Sequence, residues 1–479
     1  MRKTKIICTL GPSTDSPEIL QAMMENGMDV ARFNFSHGSH DEHKRRLEEL
    51  KALRKKLNLP VAALLDTKGP EIRLRTFEEG KVTLEAGQHF TLTAREVIGT
   101  QEICSVSYKN LAQDVHVGSQ IMLDDGLISM KVVERTETDV LCLVENGGLV
   151  KDRKGVNVPG VHLSMPYMSA QDRADILFGI QEGFDFIAAS FCRTAQDVME
   201  IRRLLDEHHS DIRIIAKLEN QEGVNNVDEI LAVADGVMIA RGDMGVEIDF
   251  TEIPVIQKDI IAYTLGYGKH VITATQMLDS MITNPRPTRA EISDVANAVY
   301  DGSSAVMLSG ETAAGKYPVA AVKNMAEIAE YTEKHISYIH RFHNTEFEIR
   351  SNLDAVSHAT CAMAIDLGAK CIVVSSMSGR TARMVSRFRC PADIVGMTTT
   401  ERAWRKLALS WGVTPVLSEE FNSIDVMFYH AAPGKTGLPP ASGRQCGSDR
   451  RPDQWAAWQH QHHQGRNHPL IAALDHSEG

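Results

Sequence analysis

Eight short apolar runs alternate with segments of helical periodicity over the N-terminal part of the chain. Each run is too short for a typical helix and is rich in β-branched residues, which indicates a strand buried on both faces. The runs are TKIICTL from Thr4, DVARFNFS from Asp29, VAALLDT from Val61, FDFIAASF from Phe184, IRIIAKLE from Ile212, GVMIARGD from Gly236, HVITATQ from His270 and SAVMLSGE from Ser304. Eight strand–helix units predict an α/β fold, a (β/α)8 TIM barrel formed by residues 1–70 and 168–340.

The pattern changes between residues 71 and 167. Segments such as KVTLEAGQHFTLTA and QIMLDDGLISMKVV alternate apolar and polar residues and are separated by glycines. This predicts a small inserted β-barrel domain between the third and fourth barrel strands. In a TIM barrel that is the end at which active sites lie, so we expect the insertion to act as a mobile lid.

A third pattern covers residues 341–432. The segment AKCIVVSSMSGRTARMVSRF has the order strand, glycine loop and helix, and the following residues repeat the alternation, which predicts a C-terminal α/β domain. Residues 433–479 have no apolar periodicity and are rich in Gly, Pro, Gln, Arg and His, which predicts an aberrant tail that is either disordered or metal-binding. Residues 441–469, back-translated with ordinary codons and read one base later, give two strand patterns around a Gly-rich loop. We therefore favour a frame-shifted tail and an incomplete C-terminal domain.

Composition and charge limit the function classes. The formal net charge of -12 argues against general binding to nucleic acid or to a membrane surface. No apolar stretch approaches the ~20 residues of a transmembrane helix, and the N-terminus runs straight into a predicted strand without a signal peptide. The eight cysteines show no CxxC spacing, which is typical of free thiols. We predict a cytoplasmic protein with no nucleic-acid partner and no membrane partner.

Two consecutive strand ends carry carboxylates suited to a divalent cation. Glu219 in IIAKLENQEG and Asp243 in MIARGDMGVEI are expected to face one another and to bind Mg2+ or Mn2+ together with water and substrate oxygens. Lys217 points the same way along its strand and can neutralise a transferring phosphoryl group. A structural Lys–Glu ion pair is the alternative.

Other strand ends carry neutral or weakly charged oxygen donors. This donor composition suits a monovalent cation better than a second divalent one; for Ser36 and Thr67 taken alone, turn and capping roles are the alternative. The candidate ligands are Asn34, Ser36, Asp66 and the Thr67 carbonyl. Arg32 and Arg73 can bind phosphates in bidentate fashion. Thr275 and Ser309 either orient substrate or a proton-carrying water, or are ordinary strand-end hydroxyls.

The loop SSMSGRT lies at a predicted strand-to-helix turn of the C-terminal domain. Backbone amides at a helix start bind phosphate, so the loop predicts an effector pocket. A plain capped turn is the alternative. The candidate residues are Ser376, Ser378, Gly379, Arg380 and Thr381.

Nine motifs, in chain order, resemble the bacterial pyruvate kinase family from residue 1 to about 430. They are RFNFSHG, LLDTKGPEIR, KGVNVPG, IIAKLENQEG, ARGDMGVEI, TATQMLDSM, NPRPTRAE, DVANAV and LSGETAAGKYP. The resemblance implies a Mg2+- and K+-dependent enzyme. It would transfer the phosphoryl group of phosphoenolpyruvate to ADP, giving ATP and pyruvate in the last step of glycolysis. It also implies a homotetramer and a sugar-phosphate effector.

The resemblance further implies a role for each matching residue. Glu219 and Asp243 are implied Mg2+ ligands, and Asn34, Ser36, Asp66 and Thr67 are implied K+ ligands. The implied phosphoenolpyruvate contacts are Arg32, Lys217, Gly242, Asp243 and Thr275. The implied nucleotide contacts are Asn34, His37, Arg73 and Lys154. Lys217 would stabilise the transferred phosphoryl group, Ser309 would act in protonation through water, and Glu71 matches the glutamate that accompanies K+ dependence.

The tail departs from the family, whose last two strands and Gly-rich loop complete the effector pocket. A second hypothesis follows: the chain is a catalytically impaired or non-catalytic ligand-binding product of a frame-shifted gene. Another barrel enzyme of phosphoenolpyruvate or pyruvate chemistry, such as a Mg2+-dependent aldolase, is a third hypothesis, which the inserted β domain and the K+-type donors disfavour. The sequence leaves open the effector, the oligomeric state with this tail, and the proton donor to the enolate.

Overall fold

Eight parallel strands form a closed barrel in the computed structural model, which describes residues 2–418 and 471–474. Their order around the barrel is β1-β17-β16-β15-β14-β13-β3-β2. Numbered along the chain, they are β1 Lys5–Thr9, β2 Val30–Asn34, β3 Ala62–Asp66, β13 Phe186–Ala189, β14 Arg213–Leu218, β15 Gly236–Ala240, β16 His270–Ala274 and β17 Ala305–Leu308. Each of the eight apolar runs therefore contributes one barrel strand, and the predicted TIM barrel is confirmed.

The helices between these strands begin where the sequence places capping residues. Pro17 is the first residue of its helix, and Ser39 and Thr288 each form a capping box with the glutamate three residues on. The helices are α1 Pro17–Glu25, α2 His40–Leu57, α4 Ala170–Glu182, α5 Ala195–Glu207, α6 Gln221–Asn225, α7 Val227–Val233, α8 Arg241–Glu247, α9 Ile253–Gly266, α10 Arg289–Asp301, α11 Gly310–Ala313 and α12 Pro318–Glu333. Single 3-10 turns lie at Pro12–Thr14 and Asp279–Ile282.

The chain divides into two compact units. The first comprises Met1–Leu65, Gln181–Ile187 and Ile261–Gly479, and the second comprises Asp66–Ile180 and Ala188–Ile260. The inserted domain lies in the second unit and the C-terminal domain in the first.

The inserted domain is built from β-strands, as predicted, around an apolar core that includes Phe90, Leu92 and Met130. Its main sheet has seven strands in the order β4-β12-β8-β9-β10-β6-β7, and β11 and β5 form a two-stranded sheet. An antiparallel bridge between Leu74 and Val106 joins the β4 end of the main sheet to its β7 end, which closes it as the predicted β-barrel requires. The strands are β4 Ile72–Arg73, β5 Lys81–Leu84, β6 His89–Thr93, β7 Ile103–Ser105, β8 Gln120–Leu123, β9 Ile128–Arg135, β10 Asp139–Val144, β11 Gly148–Lys151 and β12 Gly155–Asn157, with the short helix α3 at Leu111–Asp114.

The C-terminal domain is a parallel four-stranded sheet in the order β20-β19-β18-β21 with helices, as predicted for an α/β domain. Its strands are β18 Cys371–Ser375, β19 Asp393–Thr398, β20 Val413–Leu417 and β21 Ile471–Leu474. Its helices are α13 Tyr338–Asn344, α14 Asn352–Asp366, α15 Arg380–Arg387 and α16 Glu401–Lys406, with a 3-10 turn at Leu407–Leu409. Of the predicted tail 433–479, only β21 is described, as a strand parallel to β18; the rest lies outside the described residues.

Within the first unit, the C-terminal domain is bonded to the barrel segments through a half-buried arginine and a buried lysine. Arg389 donates to Gly302 O at 2.9 Å and to Ser304 Oγ at 3.0 Å, and Lys3 Nζ donates to Ala392 O at 3.1 Å. These bonds satisfy charged groups that burial would otherwise make costly.

Two further expectations concern the described residues. No helix in ranges 2–418 and 471–474 is long and apolar enough to cross a membrane. The seven cysteines of the described chain are free thiols, and six of them are buried. The eighth, Cys446, lies outside the described residues.

Candidate active site

Lys217 is the centre of a buried charge cluster in the second unit. Its Nζ lies 3.1 Å from Asp66 Oδ1 and 2.9 Å from Glu219 Oε1. The side chains of Lys217, Asp66 and Glu219 are 9%, 1% and 0% exposed. Lys217 is the next-to-last residue of β14, Glu219 follows that strand, and Asp66 ends β3. The structure thus brings the predicted lysine, one predicted Mg2+ ligand and one predicted K+ ligand into contact.

The surroundings of Glu219 disfavour its negative charge, and a bound cation would offset this effect. Its pKa is raised to about 8, mainly by burial and further by the negative charge of Asp243, against the lowering effect of the Lys217 ammonium. Its Oε2 accepts the Phe191 N–H at 2.5 Å, whereas Oε1 is buried at ion-pair distance from Lys217 without an aligned hydrogen bond. A buried carboxylate oxygen with free acceptor capacity beside a second carboxylate fits a divalent cation.

Asp243 and Gly242 lie in the first turn of α8, directly after β15. Strands β14 and β15 pair in parallel, with Lys217 opposite Met238. Glu219 and Asp243 therefore follow neighbouring strands, as predicted. The described residues contain no group of three or more His, Cys, Asp or Glu side chains placed to hold a metal. A metal here would rely on these two carboxylates together with water or substrate oxygens.

Thr67 is held in place by β13 and by the residue that directly follows this strand. Its N–H donates to Ala188 O at 3.0 Å, and its carbonyl accepts the Ser190 hydroxyl at 2.6 Å. Sequence reasoning missed Ser190, although it is the next-to-last residue of the fourth apolar run, FDFIAASF, and other candidates also lie near the ends of their runs. It also missed Phe191, whose backbone has a left-handed φ of 53° and whose N–H binds Glu219.

The two predicted nucleotide contacts of the second unit each pair with a carboxylate. Arg73, in β4, donates its Nε to Glu71 Oε2 at 2.8 Å, and Lys154 Nζ lies 2.7 Å from Asp124 Oδ1. Both side chains are about one-third exposed. They remain accessible to an anionic ligand.

In the first unit, β2 and the turn after it hold four predicted residues. Arg32 donates to Thr9 Oγ1 at 3.0 Å, and Asn34 Oδ1 accepts the Ser36 N–H at 3.1 Å. His37 N–H donates to Asn34 O at 3.2 Å. The structure brings Asn34, Ser36 and His37 into one tight turn at the strand end. Oxygen donors of this kind, like Asp66 and the Thr67 carbonyl, fit a monovalent cation.

Thr275 and Ser309 follow β16 and β17, also in the first unit. Thr275 has a left-handed φ of 67°, which a β-branched residue adopts only under strain. Ser309 Oγ is buried and has no hydrogen-bond partner among the described residues, while its N–H donates to Glu311 Oε2 at 2.6 Å. Glu311 also accepts the Leu278 N–H at 3.0 Å. Sequence reasoning missed this carboxylate, although it lies in the quoted run SAVMLSGE.

The predicted effector loop connects β18 to α15. Gly379 precedes the helix with a φ of 75°, and a Cβ there would lie 3.0 Å from Leu407, so a glycine is required. The Ser378 hydroxyl accepts the Arg380 N–H at 3.3 Å, and Ser376 N–H donates to Met397 O at 2.9 Å. Thr381 Oγ1 is buried without a hydrogen-bond partner among the described residues.

Comparison with known proteins identifies the family. Residues 1–322 match the family model "Pyruvate kinase, barrel domain", and residues 354–436 match "Pyruvate kinase, alpha/beta domain". This chain belongs to the pyruvate kinase family. The resemblance stated from the sequence is confirmed, and so is its assignment to the pyruvate kinases, which are phosphotransferases.

Individual pyruvate kinases are similar over most of this chain. The pyruvate kinase of Geobacillus stearothermophilus is 51% identical over 430 residues, which cover 89% of this chain and 73% of that protein. The pyruvate kinase of Clostridium acetobutylicum is 48% identical over 428 residues, which cover 89% and 90%. The crystal structure of a pyruvate kinase from Cryptosporidium parvum superposes with a TM-score of 0.87 at 39% identity and covers 90% of each chain.

Proposed function

We propose that this chain transfers the phosphoryl group of phosphoenolpyruvate to ADP and releases pyruvate and ATP, with dependence on Mg2+ and K+. The observation that carries the proposal is the buried Lys217, held between Asp66 and Glu219 at strand ends of the barrel. An ammonium fixed in a water-poor site offsets developing negative charge far better than one in solution. Family membership supplies the substrates.

Lys217 stabilises the phosphoryl group during transfer. Because carboxylates on both sides hold its Nζ, the positive charge is placed before substrate binds and needs no reorganisation during the reaction. Arg32, Gly242, Asp243 and Thr275 are the proposed phosphoenolpyruvate contacts, and Asn34, His37, Arg73 and Lys154 the proposed nucleotide contacts.

Glu219 and Asp243 would hold the divalent cation, and Asn34, Ser36, Asp66 and the Thr67 carbonyl the K+. When bound, these cations supply positive charge against the phosphoryl and carboxylate oxygens of the substrate. Protons compete with the divalent cation for the Glu219 carboxylate. Because the pKa of this group is raised, we expect cation binding to weaken as the pH falls.

Ser309 is the proposed route for protonation of the enolate, through a water molecule. Its hydroxyl is buried and holds unused hydrogen-bonding capacity, and Glu311 fixes its backbone. Ser309→Ala is expected to lower kcat by about a hundredfold, at the lower end of general acid–base contributions. The measurement is pyruvate formation together with exchange of the pyruvate methyl protons in heavy water.

The exchange reaction separates a protonation role from a structural one. Exchange should fall at least as much as kcat, while the KM for phosphoenolpyruvate stays close to that of the unchanged protein. Ser303→Ala is the matched control, because Ser303 is a fully buried serine of the same barrel whose hydroxyl bonds to Thr273 at 2.7 Å. Normal methyl exchange in the Ser309 variant would contradict the proposed route.

The loop of Ser376, Ser378, Gly379, Arg380 and Thr381 is proposed as half of a sugar-phosphate effector site. The buried Thr381 hydroxyl and the helix start support this proposal. The tail that completes the pocket in the family is altered here, so we expect weak effector binding. Tight sugar-phosphate binding in a titration calorimeter would contradict it. The homotetramer, the cytoplasmic location and the domain limits given above stay predictions.

The deciding experiment is pyruvate formation from phosphoenolpyruvate and ADP by the full chain with Mg2+, with and without K+. K+-dependent turnover supports the proposed function. No turnover by a folded chain would favour the second hypothesis, an impaired product of a frame-shifted gene. In that case restoring the reading frame of the tail should restore activity.

A further inference from the structure

Ser190 lies at the point where the proposed K+ donors meet the proposed phosphoryl-binding lysine. It follows β13 directly and is 2% exposed. Its hydroxyl accepts from Lys217 Nζ at 2.8 Å and lies 2.6 Å from the Thr67 carbonyl oxygen and 3.2 Å from Asp66 Oδ1. One hydroxyl therefore touches two proposed cation ligands and the lysine.

Counting protons fixes the direction of these bonds. The Lys217 ammonium can only donate, so Ser190 Oγ accepts from it and has one proton left to give. The Thr67 carbonyl is closer than Asp66 Oδ1 by 0.6 Å, the difference between 3.2 and 2.6 Å. Asp66 Oδ1 already accepts a hydrogen bond directly from Lys217 Nζ at 3.1 Å. The favoured arrangement is therefore that the Lys217 ammonium donates to the Ser190 hydroxyl, which in turn donates to the Thr67 carbonyl.

These hydrogen bonds connect the Lys217 ammonium to the proposed K+ site through the polarisable hydroxyl of Ser190. A hydroxyl that accepts from a cation becomes a stronger donor, so the positive charge of Lys217 strengthens the bond to the Thr67 carbonyl. A carbonyl oxygen has two lone pairs, and Ser190 occupies one of them. The other lone pair is oriented as a result and can accept a cation.

We propose that Ser190 is a positioning residue that couples the monovalent-cation site to Lys217. This rests on the cation and phosphoryl roles given to Thr67, Asp66 and Lys217 under the proposed function. Without the hydroxyl, the Thr67 carbonyl and the ammonium lose their common partner. Weaker K+ binding and a misplaced lysine follow together from one substitution.

The test compares Ser190→Ala and Ser190→Thr with Ser303→Ala as the control for removing a buried serine hydroxyl. K+ binding is measured without turnover, from the rise of the melting temperature with KCl against tetramethylammonium chloride at equal ionic strength. For Ser190→Ala we expect the half-maximal K+ concentration to rise about tenfold, the loss of one buried hydrogen bond. We expect kcat to fall by more than the KM for phosphoenolpyruvate changes.

Two variants keep the proposal open to contradiction. Ser190→Thr keeps the hydroxyl and should return the K+ midpoint to within about twofold of the unchanged protein, an effect well below that of a lost buried hydrogen bond. Ser190→Cys keeps the volume but donates weakly, and it should behave like Ser190→Ala even if the alanine variant fails to fold. An unchanged K+ midpoint in a folded alanine or cysteine variant would overturn the coupling.

The outcome for the unchanged protein separates this inference from the proposed function. If the unchanged protein is stabilised by K+ and active, a failure in the variants refutes the role of Ser190 alone. If the unchanged protein shows neither pyruvate formation nor a K+-dependent melting temperature, both the proposed cation site and the coupling through Ser190 are refuted.

Discussion

Lys217→Met is expected to lower kcat for pyruvate formation by about a thousandfold, the size of effect seen when a pre-placed charge or donor is removed from a transition state. The substitution keeps an unbranched side chain of similar length but removes the ammonium that lies 3.1 Å from Asp66 and 2.9 Å from Glu219. It also leaves two buried carboxylates without their cation, which costs about 3–5 kcal/mol of stability. Turnover should therefore be measured at low temperature on protein whose folding has been checked by circular dichroism.

Lys3→Met is the matched control for this loss. Lys3 is also a buried lysine, and it bonds to Ala392 O and Asp393 Oδ1 at 3.1 Å. Its removal should lower the melting temperature and leave kcat nearly unchanged. A folded Lys217→Met protein with more than about a tenth of the original kcat would contradict a transition-state role, because such a loss is below 1.4 kcal/mol.

Glu219→Gln is expected to have opposite effects on activity and on the stability of the metal-free protein. Loss of one of two carboxylate ligands should weaken Mn2+ binding by about a hundredfold or more and reduce turnover in proportion. Burial raises the pKa of Glu219 from its ordinary 4.5 to about 8. The folded state therefore holds a proton that the unfolded state releases, and its stability falls as the pH rises from 4.5 to about 8. Glutamine removes this penalty.

Melting temperatures across the pH range test the second half of this prediction. In metal-free buffer, Glu219→Gln should melt above the unchanged protein at pH 8 and approach it near pH 4.5. Glu247→Gln is a parallel case, since burial also raises the pKa of Glu247, which accepts from Asn157 at 2.7 Å. Its melting temperature should show the same trend with pH, without the loss of Mn2+ binding expected for Glu219→Gln. A melting temperature for Glu219→Gln that stays below that of the unchanged protein at pH 8 would show that the ionised carboxylate stabilises the fold.

The sequence predicted the barrel well because each of its strands is a continuous apolar run. Strands β1, β3, β15 and β16 are buried at every residue, so their hydrophobic signal is not diluted by an exposed face. The inserted domain gave a weaker signal. Its strands alternate buried and exposed residues, which predicts strands but not how they are arranged in sheets.

The candidate site was predictable where residue type and strand position agree. Lys217, Glu219 and Asp66 are charged residues at the carboxyl ends of buried barrel strands, which is where the active sites of such barrels lie. Ser190 was missed because a serine after a strand is common, and only its three partners distinguish it. Glu311 was missed for a similar reason: its bonds to Ser309 and Leu278 depend on a loop geometry that no sequence pattern encodes.

The backbone at Thr275 has a bearing on how this enzyme would respond to laboratory selection. Its φ of 67° is unfavourable for a β-branched residue and favourable for glycine or asparagine. Selection of a mutant library for heat resistance alone would enrich glycine or asparagine at this position, because either residue relieves the strain. The same variants lack the hydroxyl proposed to contact phosphoenolpyruvate. Survivors of such a screen would be robust and inactive, so any thermostabilisation of this protein must retain Thr275 from the outset.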